Sequence, residues 1–180
     1  MTITRFSFPT PIAFGTGARK LVAEHLREQG LQRPLIVTDG ALAALPVTAE
    51  FRSHLGGLNV AVFDGVFGNP TCAQVMAGAA AFRAHGADCV IGFGGGAALD
   101  VAKVVGLMAV HDGDILDYVW DHPQVRPITH ALPGSSRCRR RPAPAARSAA
   151  RPWCPRTTRT TSAPFSAPRS WRAWSSPTLS

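Results

Sequence analysis

Hydrophobic and polar positions over residues 1–133 alternate between short apolar runs and longer stretches with helical spacing. The apolar runs that predict strands of one sheet lie at 34–37, 59–63 and 89–93. The stretches with helical spacing lie at 17–29, 48–55, 71–86 and 97–110. The run at 89–93 is apolar throughout, which is typical of a strand covered on both faces. This order predicts an α/β fold: a Rossmann-like parallel sheet with flanking helices.

The ends of these elements carry ordinary boundary signals. Thr71 is a good helix N-cap, and Gly86 is placed to end the same helix. In the first helix, His25 and Leu26 fall on the face that we expect to pack against the sheet. A short β-hairpin is predicted at 4–8 and 12–14, before the first helix.

Composition changes after residue 133. Residues 1–133 hold all 11 acidic residues and nine of the 19 lysines and arginines, so their net charge is −2. Residues 134–180 hold ten arginines, no lysine and no acid, with many prolines that would interrupt a helix. The overall charge of +8 therefore belongs to the last segment alone. We expect a dinucleotide-binding domain at 1–133, incomplete by comparison with larger proteins, and a disordered basic tail at 134–180.

Two functional classes are disfavoured. The most apolar stretch, 101–110, is too short to cross a bilayer and contains Lys103, so we expect a cytoplasmic protein without a membrane partner. The cysteines lack metal-binding spacing. The polar group His111, Asp112, Asp114 and His122 also lacks compact ligand spacing, and a solvated loop is the favoured interpretation.

The loop Gly94-Gly95-Gly96-Ala97 joins a buried strand to a helix. Glycines at this point let a ligand approach the backbone, and a helix N-terminus offers free N–H groups to a diphosphate. Asp100 and Lys103 follow on the first two turns of the helix. The alternatives are a tight turn for the glycines and an i,i+3 surface ion pair for Asp100 and Lys103.

Polar residues also follow the other predicted strands. Asp39 could accept hydrogen bonds from the ribose of a dinucleotide, although an Asp-Gly turn explains it equally well. Asp64 and Asn69 come after the next strand. Because the carboxyl ends of parallel strands lie at one edge of a sheet, these residues and the glycine loop are expected to share one crevice.

Four segments together resemble the landmarks of the iron-containing alcohol dehydrogenases. They are Phe14-Gly15-Thr16-Gly17-Ala18, Leu35-Ile36-Val37-Thr38-Asp39, Asn69-Pro70-Thr71 and Gly94-Gly95-Gly96-Ala97-Ala98-Leu99-Asp100-Val101-Ala102-Lys103. The last segment departs from the family pattern only at Ala97, where serine is usual. The resemblance covers residues 1 to about 133.

The resemblance implies a dinucleotide-binding domain followed by a helical domain, with a divalent metal, usually iron, held in the cleft by one Asp and three His. It implies alcohol–aldehyde or alcohol–ketone interconversion with NAD or NADP, the metal polarising the alcohol oxygen. The cofactor-binding residues that it implies here are Asp39 for the ribose, Asn69, and Gly94, Gly95, Gly96, Ala97 and Asp100 for the diphosphate, with Lys103 in a supporting role. The metal ligands and most substrate contacts would lie in the helical domain. Asp39 favours NAD over NADP.

After residue 133 the family continues with a strand ending in Val-Pro-Thr-Thr, followed by Ala-Gly-Thr-Gly-Ser-Glu. The codons for residues 135–147 can be read in a shifted frame, in which each new codon takes the last base of one codon and the first two bases of the next. With suitable codon choices, this frame encodes Ile-Ala-Val-Pro-Thr-Thr-Ala-Gly-Thr-Gly-Ser-Glu. The segment 177–180 can conceal Asp-Pro-Glu in the same frame. These matches predict a frameshift near Pro133-Gly134.

The sequence thus predicts an NAD(P)-dependent oxidoreductase by family, and a truncated chain that does not itself catalyse the reaction. The alternatives are a non-catalytic nucleotide-binding module and, less favoured, a nucleic-acid binder that uses the arginine-rich tail. The particular alcohol and the oligomeric state are not readable from the sequence.

Overall fold

The computed structural model describes residues 4–8, 10–119 and 123–139. Its main sheet has four parallel strands in the order β4-β3-β5-β6. These strands are β3 (Pro34–Asp39), β4 (Ala61–Val66), β5 (Cys89–Gly94) and β6 (Gly134–Arg139). A separate antiparallel pair consists of β1 (Thr4–Phe8) and β2 (Thr10–Phe14). The predicted parallel sheet and hairpin are both confirmed.

Helices connect the strands in the predicted order. They are α1 (Leu21–Glu28), α2 (Gly40–Ala43), α3 (Pro46–His54), α4 (Cys72–His85) and α5 (Gly96–Val110), with 3₁₀ turns at Ala18–Lys20 and Ile115–Tyr118. Thr71 caps α4, since its side chain accepts a hydrogen bond from the backbone N–H of Gln74, and Gly86 ends α4 in the left-handed conformation. Among the described residues, no helix has the length and apolar character needed to cross a membrane.

The order of the strands creates a crevice at one edge of the sheet. From β3 the chain passes through α2 and α3 to β4 on one side, and then through α4 to β5 on the other side of β3. The direction of winding therefore reverses between β3 and β5. In open parallel sheets, ligands bind outside the carboxyl ends of the strands at this reversal.

Alternate residues of the central strands supply two separate cores. Leu35 and Val37 of β3 join the cluster under α4 and α5, whereas Ile36 joins the cluster under α1 and α3. On the second face the ring of Phe51 stacks on that of Phe93 with centroids 4.7 Å apart. The burial of every residue of β5 confirms that this apolar strand is covered on both faces.

Helix α5 lies close against β5 because glycine occupies position 92. A Cβ on Gly92 would lie 3.1 Å from the Cβ of Ala102 and 3.1 Å from Leu99 Cδ2. Glycine therefore allows the helix to pack directly on the strand from which the glycine loop emerges. This packing fixes the N-terminus of α5 over the end of β5.

Two predictions about individual elements need correction. His25 was expected on the packed face of α1, but the structure leaves His25 exposed and buries Ala23 and Leu26. The strand predicted at 59–63 lies instead at Ala61–Val66. This shift places Asp64 inside β4, so the prediction that Asp64 follows the strand was wrong.

The ordered sheet continues past the boundary predicted at residue 133. Strand β6 pairs with β5 in parallel register, from Gly134 opposite Cys89 to Arg139 opposite Gly94. The backbone groups on the edge of β5 can pair with any extended segment, whatever its side chains, so the polar composition of 134–139 does not prevent the pairing. Residues 140–180, the rest of the expected tail, lie outside the described residues.

Candidate functional site

The glycine loop begins with a residue whose backbone requires glycine. Gly94 has φ 146°, in the region that side chains disfavour. A Cβ at this position would also lie 3.2 Å from the Cβ of Ala98 and 3.3 Å from Leu42 Cδ2. The fold alone therefore explains glycine at position 94.

The next two glycines have no such explanation. Gly95 has φ −80° and acts as the N-cap of α5, and both Gly95 and Gly96 are exposed. A Cβ added to either residue would meet nothing within 4 Å. No side chain caps the helix. The start of α5 is therefore exposed and has no side-chain cap, as an anion site requires.

Asp39 lies beside this loop at the end of β3. Its Oδ1 accepts a hydrogen bond of 2.8 Å from the backbone N–H of Leu42, so Asp39 caps the short helix α2. Its Oδ2 lies 3.7 Å from the point that a Cβ on Gly94 would occupy. The turn role and the ligand role are thus compatible, because the described residues provide Oδ2 with no hydrogen-bond donor.

Asp100 and Lys103 form the surface ion pair that their spacing allowed. Lys103 Nζ lies 2.9 Å from Asp100 Oδ1, with about half of the Asp100 side chain and a third of the Lys103 side chain exposed. Ala97 is partly buried on the first turn of the same helix. An exposed pair of this kind contributes about 0.3 to 0.5 kcal/mol.

Asn69 lies farther along the same edge. It is exposed on the loop that follows β4, and β4 is on the opposite side of β3 from β5. The structure therefore brings Asp39 and the glycine loop together, and places Asn69 one strand from Asp39 and two strands from the glycine loop.

Gln74 has a role that was not predicted from the sequence. Its Nε2 donates a 2.7 Å hydrogen bond to the carbonyl of Phe67, on the loop that carries Asn69. Its Oε1 and the hydroxyl of Thr38, next to Asp39, are buried without a hydrogen-bond partner within the described part of the chain. The Thr71-x-x-Gln74 spacing of a capping box was the available signal.

The described members of the polar group near the end of α5 do not form a metal-binding cluster. His111 is buried: its Nδ1 donates to the carbonyl of Leu107 at 3.0 Å, and its Nε2 accepts from the backbone N–H groups of Thr129 and His130 at 3.1 and 3.2 Å. Asp112 and Asp114 are exposed, as predicted, but His111 is not part of a solvated loop.

His122 lies outside the described residues. Across residues 4–8, 10–119 and 123–139, no three His, Cys, Asp or Glu side chains cluster so as to hold a metal ion. The part of the chain that the structure describes therefore contains no set of one Asp and three His that could bind iron as the resemblance implies.

Cys89 and Cys138, the free cysteines of the described residues, are unsuited to act as nucleophiles. Burial raises the pKa of Cys138 to about 11, although the nearby charge of Arg19 opposes this shift. Burial and the neighbouring Asp88 raise the pKa of Cys89 further. Both thiols therefore remain protonated at neutral pH.

Several known proteins are similar to this chain in sequence or in fold. The 4-hydroxybutyrate dehydrogenase of Cupriavidus necator is 38% identical over 109 residues, which cover 61% of this chain and 28% of the relative. The NAD-dependent methanol dehydrogenase of Bacillus methanolicus is 33% identical over 128 residues, or 70% of this chain and 34% of the relative. A crystal structure of a 1,3-propanediol oxidoreductase matches with a TM-score of 0.63 and 32% identity, over 70% of this chain and 32% of that chain.

These matches cover the N-terminal part only, so the chain spans about a third of the length of its relatives. The family model described as iron-containing alcohol dehydrogenase matches residues 9–135. That range contains β3, β5, the glycine loop and Asp39, which form the crevice described above. The chain therefore belongs to the iron-containing alcohol dehydrogenase family, a family of oxidoreductases.

Proposed function

We propose that residues 1–133 carry the cofactor half of an NAD-dependent alcohol dehydrogenase, and that the chain as printed does not turn over alcohols. The observation that carries the proposal is the pair of exposed glycines, Gly95 and Gly96, at the uncapped start of α5. The fold does not require glycine at either position. Close approach of a ligand to the backbone is the remaining physical reason for these residues.

The chemistry of the crevice fits a dinucleotide. The first-turn N–H groups of α5 would bind the diphosphate, and Ala97 would donate through its backbone without a side-chain hydroxyl. The free Oδ2 of Asp39 would accept a hydrogen bond from a ribose hydroxyl. A carboxylate at this point repels a 2′-phosphate, which supports NAD over NADP. A bound nicotinamide would supply the hydride acceptor or donor.

Asp100, Lys103 and Asn69 have secondary roles in this proposal. Asp100 and Lys103 hold each other on the outer side of α5, so Lys103 supports the helix and Asp100 reaches the diphosphate only through its second oxygen. Asn69 would contact the cofactor from the β4 side of the crevice, with its loop fixed by Gln74.

The proposed lack of turnover is supported by the metal-donor set, which the described residues do not supply. Metal-assisted alcohol oxidation needs a Lewis acid beside the alcohol oxygen, and the described residues contain no cluster that could hold one. The relatives are about three times as long as the matched part of this chain, and the whole enzyme's alcohol and aldehyde substrates are likewise part of the proposal. The crevice supports nucleotide binding with or without catalysis, and the turnover assay separates these two possibilities. The nucleic-acid alternative gains no specific support from the described residues.

The experiment measures binding and turnover on the same full-length sample. Saturation-transfer NMR with NAD⁺ is expected to show weak binding that Gly95→Ala abolishes, with a smaller signal for NADP⁺. With added Fe²⁺, NAD⁺ and short primary alcohols, no NADH is expected to form. Binding that Gly95→Ala leaves unchanged would contradict the proposed site, and steady NADH formation would contradict the proposed inactivity.

A further inference from the structure

Strand β6 has the wrong side chains for its place in the sheet. Its inward positions, Gly134, Ser136 and Cys138, lie on the same face as Cys89, Ile91 and Phe93 of β5. Strand β6 is the edge strand of the described sheet, yet its inward positions face the core that contains Ile91 and Phe93, and only Cys138 contributes an apolar side chain there. On the other face, Arg137 and Arg139 stand exposed beside Gly92 and Gly94.

We infer that one base has been lost from the coding sequence at or just before codon 134, and that the natural strand β6 is apolar at positions 135, 136 and 138. This inference deepens the proposed function, because β6 leads to the edge of the sheet where the glycine loop lies. It rests on the register and burial of β6 and on the genetic code.

Position 138 requires no assumption about codon choice. Every cysteine codon begins with TG, so the shifted codon formed from the last base of codon 137 and the first two of codon 138 ends in TG. Such a codon encodes Leu, Met or Val, whatever its first base. With one base lost, this residue takes position 138, which the structure buries against Phe93.

Ser135 and Ser136 also give apolar residues in the shifted frame when their codons begin with TC. A shifted codon ending in TC encodes Phe, Leu, Ile or Val, and these residues take positions 135 and 136. Position 136 faces inward beside Ile91. At position 137, an arginine codon beginning with CG gives Ser, Pro, Thr or Ala. A small residue suits this place, since its partner Gly92 lies under Leu99 and Ala102.

The structure also distinguishes a lost base from two added bases. If the coding sequence had instead gained two bases, the restored frame would encode the same peptide one position earlier. Its apolar residues would then lie at positions 134, 135 and 137. Position 137 is exposed and position 136, which faces the core, would then be small. Only the lost base puts large apolar residues at both inward positions, 136 and 138.

Sequencing of the natural gene and its transcript across codons 130–140 tests the inference directly. The expected result is one additional base between codons 133 and 135, with the reading frame then open beyond codon 180. An unchanged frame that encodes Ser135 to Arg139 in the natural gene would overturn the inference. NAD binding by the printed chain is measured separately, so this failure is distinguishable from failure of the proposed function.

A second test asks whether the β6 position accepts apolar side chains. In the printed chain, Ser136→Ile is expected to raise Tm by at least about 3 °C, because it buries apolar surface against Ile91. The matched control, Arg137→Ile on the exposed face of the same strand, is expected to leave Tm unchanged. Equal effects of the two substitutions, or a lower Tm for Ser136→Ile, would contradict the assignment of an apolar strand.

Discussion

The Oδ2 atom of Asp39 lies 3.7 Å from the place of an absent Cβ on Gly94. The two residues end neighbouring strands, β3 and β5, on either side of the reversal in winding. A carboxylate oxygen and an open helix N-terminus therefore meet at one point of the sheet edge. Ribose hydroxyls and a diphosphate are the chemical groups that this combination suits.

The three glycines of the loop are expected to respond differently to alanine. Gly94→Ala forces a side chain into a positive-φ conformation and against Ala98 and Leu42, so we expect a loss of about 2 kcal/mol in the free energy of unfolding. Gly96→Ala, at the first helical position, meets open space and should change this free energy by less than about 0.5 kcal/mol. Urea unfolding measures both, and equal losses would contradict the assignment.

Asp39 has two separable roles, which a pair of substitutions distinguishes. Asp39→Asn keeps a good N-cap for α2 but removes the charge, so stability should be retained while discrimination against NADP⁺ falls. Asp39→Ala removes both functions and should also cost about 1 kcal/mol of stability. Competition between NAD⁺ and NADP⁺ in ligand-observed NMR measures the discrimination, and thermal unfolding measures the stability. Unchanged discrimination in Asp39→Asn would place the ribose elsewhere.

The exposed ion pair on α5 allows a direct comparison of its members. Both Asp100→Asn and Lys103→Gln break the 2.9 Å contact and should lower stability equally, by less than about 0.5 kcal/mol. If Asp100 also reaches the cofactor, only Asp100→Asn weakens NAD⁺ binding. Identical binding by the two variants would reduce Asp100 to a helix-stabilising residue.

Acid stability should depend on Asp88, which joins two loops of the fold. Burial tends to raise the pKa of Asp88, but hydrogen bonds from the backbone N–H groups of Gln32 and Arg33 outweigh it and lower the pKa. Stabilisation by Asp88 is therefore present above the pKa of the unfolded chain and is lost as the pH falls through the lower folded value.

Asp88→Asn should then cost about 1 kcal/mol at neutral pH and little in strong acid. Urea unfolding between neutral pH and strong acid measures the difference in unfolding free energy between Asp88→Asn and the unchanged chain. Asp64→Asn, at an exposed carboxylate of β4, is the control. An Asp88→Asn deficit that is the same at all pH values would refute the charge-dependent role.

The sequence predicts the main elements because local signals are strong there. The uniformly apolar run of β5, the Thr71 cap and the Gly86 terminus specify their elements without tertiary information. The different roles of the three glycines in the loop cannot be predicted from such local signals. Only the three-dimensional packing of Ala98 and Leu42 shows that Gly94 serves the fold, whereas Gly95 and Gly96 face open space.

Other features depend on long-range pairing. The polar segment 134–139 carries no strand signal, and it forms β6 because the edge of β5 offers backbone partners. His25 and His111 exchange their expected environments, since only the tertiary packing shows that Leu107, Thr129 and His130 surround His111. Gln74 shows a capping-box spacing, but its side chain bonds the Phe67 carbonyl instead.

The most direct test of the cofactor site is an amide NMR titration of the ¹⁵N-labelled full chain with NAD⁺. The largest shifts are expected at Gly95, Gly96 and Ala97, with a smaller shift at Asp39 and none at the distant turn glycines Gly30 and Gly57. Shifts confined to other parts of the chain, or no change at millimolar NAD⁺, would contradict the assignment of this crevice as the dinucleotide site.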